Sequence, residues 1–250
     1  MSASFDFLVR LGDNALVLGQ RLSEWTGRGP ALEEDIALAN TALDLIGQAQ
    51  LWLGYAGEVE GRARDADALA MRRDAHDFRN LLLTEQPNGD FGRTMMRQFL
   101  FDAWHAPLLD RLVQSSDPRV AEIAAKGAKE AAYHLDRSRG VVVALGDGTD
   151  ESRRRMQAAL DRLWPFTGEM FEADGVDAGM AAAGVAPDPA SLRDGWDATV
   201  RGAMAEATLA VPDSAFAHSG GRSGKRHTEH LGHMLSTMQF LQRAYPDATW

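Results

Sequence analysis

A carboxylate and an imidazole three residues apart on a helix lie side by side, which is how a helical bundle holds a pair of irons. Two segments have the frame for such a pair and lack its residues. In Asp44-Leu-Ile-Gly-Gln48 the pair falls on Leu45 and Gln48; in Lys129-Glu-Ala-Ala-Tyr-His134 the histidine stands, but the position three before it is Ala131. Glu130 lies one turn from His134, Asp13 and Glu24 sit off the apolar face of the first helix, and Asp102 is the one acid midway along the third long helix. With a leucine and a methyl group where ligands would stand, the residues argue for a metal-free polar network. Buried polar groups must be hydrogen-bonded. The expected members are Asp44, Gln48 and His134, assisted by Asp102 or a lysine such as Lys126, with Asn40, Asp44 and Gln48 in line at i, i+4 and i+8. The opposing reading is a di-iron oxidase that uses Glu130, His134, Asp44 and Asp102 in an atypical set.

His227-Thr-Glu-His-Leu-Gly-His233 resembles zinc spacing, but each step of three turns about 60° off a common helix face. At most two of these histidines could share a metal, with Glu229 on the other side. The segment reads better as a helix start, with Thr228 as N-cap and Leu231, Met234, Leu235, Met238 and Leu241 as the packing face. Asp90-Phe-Gly92 matches three letters of a kinase motif with nothing else of a kinase near it. Arg153-Arg-Arg155 is a basic run of the kind usually found on solvated surface. Phosphate loops, dinucleotide glycine patterns and G-x-S-x-G are absent from the sequence.

Helical periodicity dominates the elements that must position these groups. Leu8, Leu11, Ala15, Leu18, Leu22 and Trp25 line one helix face, and Thr26-Gly-Arg-Gly-Pro30 ends the pattern. A second helix is expected from about Glu33 to Glu58, apolar on two faces and so central to a bundle. An interrupted helix follows over Asp65–Leu83, then a turn-rich loop over Glu85–Asp90. Long helices are expected over Phe91–Gln114 and, with Pro118 at the first position, up to Gly146. Further helices are expected over Asp150–Ala173, Ser191–Leu209 and Thr228–Ala244. Asp174–Pro189 reads as irregular and His218–Arg226 as a Gly/Ser/Arg loop that is mobile unless a partner covers it. Two hairpins of long helices make an all-α, antiparallel four-helix bundle with additional helices, in a single domain over residues 1–250.

The chain has 250 residues, 45% hydrophobic and 25% charged, enough to bury a core without staples. It has no cysteine, which excludes disulfides, thiolate metal sites and thiol nucleophiles. The 36 acidic residues against 26 basic ones give a net charge of −10, a poor match to a nucleic-acid backbone. The longest apolar run, Val141–Leu145, is far short of a membrane span, and Met1–Asp6 has no signal-peptide pattern. A cytoplasmic, water-soluble chain is expected.

Several blocks together resemble one family: Arg10-Leu-Gly-Asp-Asn14, Ala37–Ala49 (ALANTALDLIGQA), Phe78–Phe91 (FRNLLLTEQPNGDF), Phe101-Asp-Ala-Trp-His105, Lys129–His134 and His227–Gly232 (HTEHLG). They are similar to the C subunits of the ring-1,2-phenylacetyl-CoA epoxidase, a monooxygenase of aerobic phenylacetate degradation, and the resemblance runs from about residue 8 to Trp250. It implies a ferritin-like fold and a structural, non-catalytic subunit without a cofactor of its own. Its implied partners are a di-iron catalytic A subunit and an NADPH-dependent reductase. It also implies contacts to the acyl-CoA, here placed at Asp77, Phe78, Arg79 and Asn80 and at Ala178, Gly179 and Met180. Arg79 offers a cation for a phosphate, and Ala178 and Gly179 leave room for close backbone approach. A CoA-ester binding module without a partner is a third reading.

Overall fold

The computed structural model describes residues 2–246 and 248; Met1, Asp247, Thr249 and Trp250, where the resemblance ends, lie outside it. Its helices group into two compact units.

The first unit comprises the described residues of Met1–Pro87 and Ser219–Trp250. Helix α1 (Ala3–Ser23) starts where the Ser2 hydroxyl accepts the Phe5 N–H, one of the orphan donors of a first turn. Helix α2 (Leu32–Glu60) returns along it as a hairpin. The two backbones approach closely at Gly12, where a Cβ would lie 2.6 Å from the Leu53 side chain. Leu8, Leu11, Ala15, Leu18 and Leu22 are buried as their spacing requires, and Trp25 is half-buried beyond the helix end. Helix α2 departs from expectation. It buries Leu38, Ala42, Leu45, Ala49 and Trp52, yet Ile36 and Leu43 are 51% and 66% exposed. A hairpin partner covers one face of a helix, and apolar composition alone does not supply a second.

Only Ala66–Met71 (α3) and a 3-10 turn at Ala75–Asp77 are helical in the segment expected to reach Leu83. The chain instead runs as a buried loop from Phe78 to Gln86, apart from half-buried Arg79. A buried loop must have its backbone groups paired; here turns within the loop pair some of them, and the side chains that pair others build the site described below. The C-terminal helix is split into α9 (Glu229–Met238) and α10 (Phe240–Ala244); it breaks at Gln239, whose buried amide donates to the Ala70 and Arg73 carbonyls. Leu231, Met234 and Leu235 are buried as expected, whereas Leu241 is 46% exposed.

The second unit is Asn88–His218. Helix α4 (Phe91–Leu112) is capped by Asp90, which accepts the Arg93 N–H at 2.8 Å. Helix α5 (Pro118–Gly146) is capped by Asp117, with proline in the first turn as its sequence required. The two form an antiparallel hairpin. Helix α6 (Asp150–Leu163) is shorter than expected, because Pro165 brings no amide donor and the chain tightens into 3-10 turns through Phe171. A helix, α7 (Gly175–Ala182), replaces part of the link read as irregular; Asp174 and Asp177 form a capping box that starts it. Helix α8 (Arg193–Glu206) is tied to α4 by Trp196, whose indole N–H donates to the Leu100 carbonyl at 3.0 Å. Among the described residues there is no strand, and no helix long and apolar enough to cross a membrane.

Candidate functional site

A buried polar cluster lies between α4 and α5 and includes Asp102 and His134. Asp102 is 1% exposed and accepts from the Gln98 amide at 2.7 Å and the Ser138 hydroxyl at 2.8 Å. Burial pushes its carboxyl up to about 6, against the opposing pull of His134, the two hydrogen bonds and Arg137. His134 is buried beside it. One turn along α4 from Asp102, His105 is also buried, its ring 4.9 Å from that of Phe101 and its Nδ1 without a hydrogen-bond partner. Burial, and then the charge of His134, holds the His105 imidazole down to about 3. Asp102 and His105 form the acid-x-x-His spacing that matters in such bundles. The pair was not among those expected, because the Asp44 and His134 frames lie on other helices.

The other expected members differ in burial. Lys126 is 59% exposed and pairs with Glu122 on its own helix, so it takes no part in the core. Its position eight residues before His134 puts it about 80° round α5 from the buried stripe. Glu130 is half-buried, while Ala131 is fully buried. On α2, in the first unit, Gln48 is buried, Asp44 half-buried and Asn40 exposed, so the line of three turns gradually into solvent. Among the described residues no three His, Asp or Glu side chains gather as ligands of a metal ion. The donor set around Asp102 is short of the carboxylates that a di-iron pair needs.

A second cluster, in the first unit, is built by the buried loop. Asp13 pairs with Arg73, both almost wholly buried, and also accepts the backbone N–H of Arg79 at 2.8 Å. Asn14 accepts the Leu81 N–H at 2.7 Å. The Arg73 guanidinium lies 4.3 Å from the centre of the Phe78 ring. Glu85, fully buried, accepts from the Asn80 amide and from the Thr228 N–H, and stands 2.9 Å from His227 Nδ1. Thr228 is thus the N-cap residue of α9, but without the side-chain cap bond expected of it. His233 is exposed, and His230 contributes a carbonyl, which accepts from Arg21. The loop expected to be mobile, His218–Arg226, packs at Gly221 against Asn80 and Leu82 so tightly that a Cβ would collide with the Asn80 carbonyl.

This scaffold supports a cavity of about 230 Å³ lined by Phe5, Asp6, Val9, Arg62, Arg64, Arg73, Asp77 and Arg79. Arg64 is held by Glu60, and that hydrogen bond lowers the Glu60 carboxyl below its usual range. Arg73 is held by Asp13. Arg79 rests on two carbonyls, those of His76 and Phe78, each at 2.8 Å, and Arg62 is 72% exposed. Of the four residues expected near an acyl-CoA here, Asp77 and Arg79 line this cavity; Phe78 and Asn80 are fully buried and belong to its support. Ala178 is exposed, Gly179 half-buried and Met180 buried, all on α7 of the second unit. A larger groove of about 540 Å³, beside Leu235, Phe240 and Ala75, is mostly apolar; its one cation, Arg243, pairs with Asp74.

The sequence matches the family described as phenylacetic acid catabolic protein across residues 1–250. The chain belongs to that family. Membership accounts for the all-α build, since the phenylacetic acid catabolic proteins are ferritin-like helical proteins. One relative in the family is the C subunit of the 1,2-phenylacetyl-CoA epoxidase of Escherichia coli (strain K12), 52% identical over 244 residues and 98% of each chain. Asp13 and both members of the Glu85–His227 pair fall in blocks that carry the resemblance to this family, whereas Arg73 lies outside them. The signal for Glu85 was absent from spacing alone, since 142 residues separate it from His227.

Proposed function

We propose that this chain is the non-catalytic C subunit of a multicomponent monooxygenase that epoxidises the ring of phenylacetyl-CoA. In this reading it pairs with a di-iron A subunit, which carries the oxygen chemistry with electrons from an NADPH-dependent reductase. The chain carries no cofactor itself. The observation that supports this best is similarity over nearly the whole length to a C subunit of that epoxidase, joined to Leu45 and Ala131, fully buried, where ligands would stand. Its own contribution is structural and, at the arginine-lined cavity, electrostatic. Arg79 and Arg62 offer guanidinium forks that suit the phosphates of a CoA ester, and Asp13 keeps the Arg79 backbone in place.

Elemental analysis tests the reading. The chain expressed alone with added iron is expected to bind none, and iron is expected to appear only when the A subunit is co-expressed. About two irons per isolated chain would instead overturn it in favour of the di-iron oxidase that uses Glu130, His134, Asp44 and Asp102 in an atypical set.

A further inference from the structure

His227 Nε2 lies 3.1 Å from the Phe78 carbonyl and its Nδ1 lies 2.9 Å from Glu85. A carbonyl can only accept, and the Phe78 oxygen already receives a bond from Arg79. The Glu85 carboxylate likewise receives the Thr228 N–H and the Asn80 amide. Both ring nitrogens therefore face acceptors, and a neutral imidazole has only one N–H to give. We infer that His227 is a positioning residue. Its doubly protonated ring, held by Glu85, straps residues 219–230 across the 78–85 loop and fixes the carbonyl on which the Arg79 guanidinium rests.

The surroundings keep the extra proton in place by geometry. Glu85 is the carboxylate in contact with the ring. The nearby cations are each bound elsewhere: Arg79 on the His76 and Phe78 carbonyls, Arg21 on the Glu85 and His230 carbonyls and on the Glu24 carboxylate, and Arg73 on Asp13. Within the strap, Arg222 offers its carbonyl to Arg10, Glu229, Lys225 and Arg226 are exposed, and His230 is half-buried. Removing one proton from the ring forces it to give up either Phe78 or Glu85, so the strap must loosen as pH rises. The consequence for a ligand rests on the cavity reading above, but the strap can be tested with no ligand present, so the two fail separately.

The test is amide hydrogen exchange of the full chain from pH 5.5 to 8.5, corrected for the chemical rate, with ¹⁵N NMR of the His227 ring. Both ring nitrogens should be protonated at pH 5.5. Opening of residues 219–230 and 78–86 should increase about tenfold or more across the range, the worth of one charge-assisted bond, while residues 33–58 of α2 stay level. Glu85→Gln keeps the shape but removes the charge, and should abolish this pH dependence. A ring with one proton at pH 5.5, or wild-type protection that does not change with pH, overturns the inference, and neither measurement needs a variant to fold.

Discussion

Asp102→Asn should stabilise the chain near neutral pH, and by an amount that the site itself sets. Asp102 is wholly buried and its carboxyl is raised from 3.8 to about 6, with desolvation the largest cause. A raised carboxyl binds its proton more tightly in the folded state, so the charged form costs stability. That cost is absent below the unfolded value, grows as pH rises from 3.8 to about 6, and is constant above. About two pKa units correspond to about 3 kcal/mol. The amide mimics the protonated acid. Its oxygen still accepts from Gln98, while its NH₂ donates to Ser138, whose hydroxyl can turn to the Leu135 carbonyl. Urea denaturation of both proteins should show the variant about 3 kcal/mol more stable at pH 7.5 and about 1 kcal/mol more stable at pH 4.5. His105 titrates alike in both and cancels. A variant less stable at pH 7.5, or an advantage equal at the two pH values, would refute the assignment of Asp102 as a desolvated acid.

Three further substitutions probe the other unit. Asp13→Ala leaves the Arg73 guanidinium buried without its counter-ion and the Arg79 N–H without an acceptor, and should cost about 3–5 kcal/mol in urea denaturation; a loss below about 1 kcal/mol would mean water replaces the carboxylate. Gly12→Ala places a methyl group 2.6 Å from Leu53 and should destabilise by about 1–3 kcal/mol through overpacking of α1 on α2; an unchanged thermal midpoint would contradict that close approach. Arg79→Ala should weaken binding of a CoA ester to the assembled complex by about tenfold or more, the worth of a charge-assisted phosphate contact. Calorimetry that gave equal affinities would remove Arg79 from the binding surface.

Much of the fold was legible because it is local. The apolar repeat from Leu8 to Leu22, Pro118 at a helix start and the Gly-rich stop after Thr26 each depend on residues within a turn or two of one another. The first helix, the two long hairpins and the burial of His134 followed from them. What failed was also local reasoning, applied where tertiary partners decide. Phe78–Leu83 has a helix-compatible sequence, yet runs as a buried loop in which Asp13 and Asn14 accept the Arg79 and Leu81 amides from a distance. Gln239 breaks a periodic helix because Ala70 and Arg73 offer it carbonyls.

The site divides in the same way. Spacing by itself determined that Leu45 and Ala131 share the apolar faces of their helices, because a helix fixes which residues lie on one side, and both are fully buried. Only the tertiary structure decided that Asp102 and His105 share a buried interior, and that Glu85 meets His227 across 142 residues of chain. Desolvation and ion pairing depend on what surrounds a group in space, and no count along the sequence contains that distance.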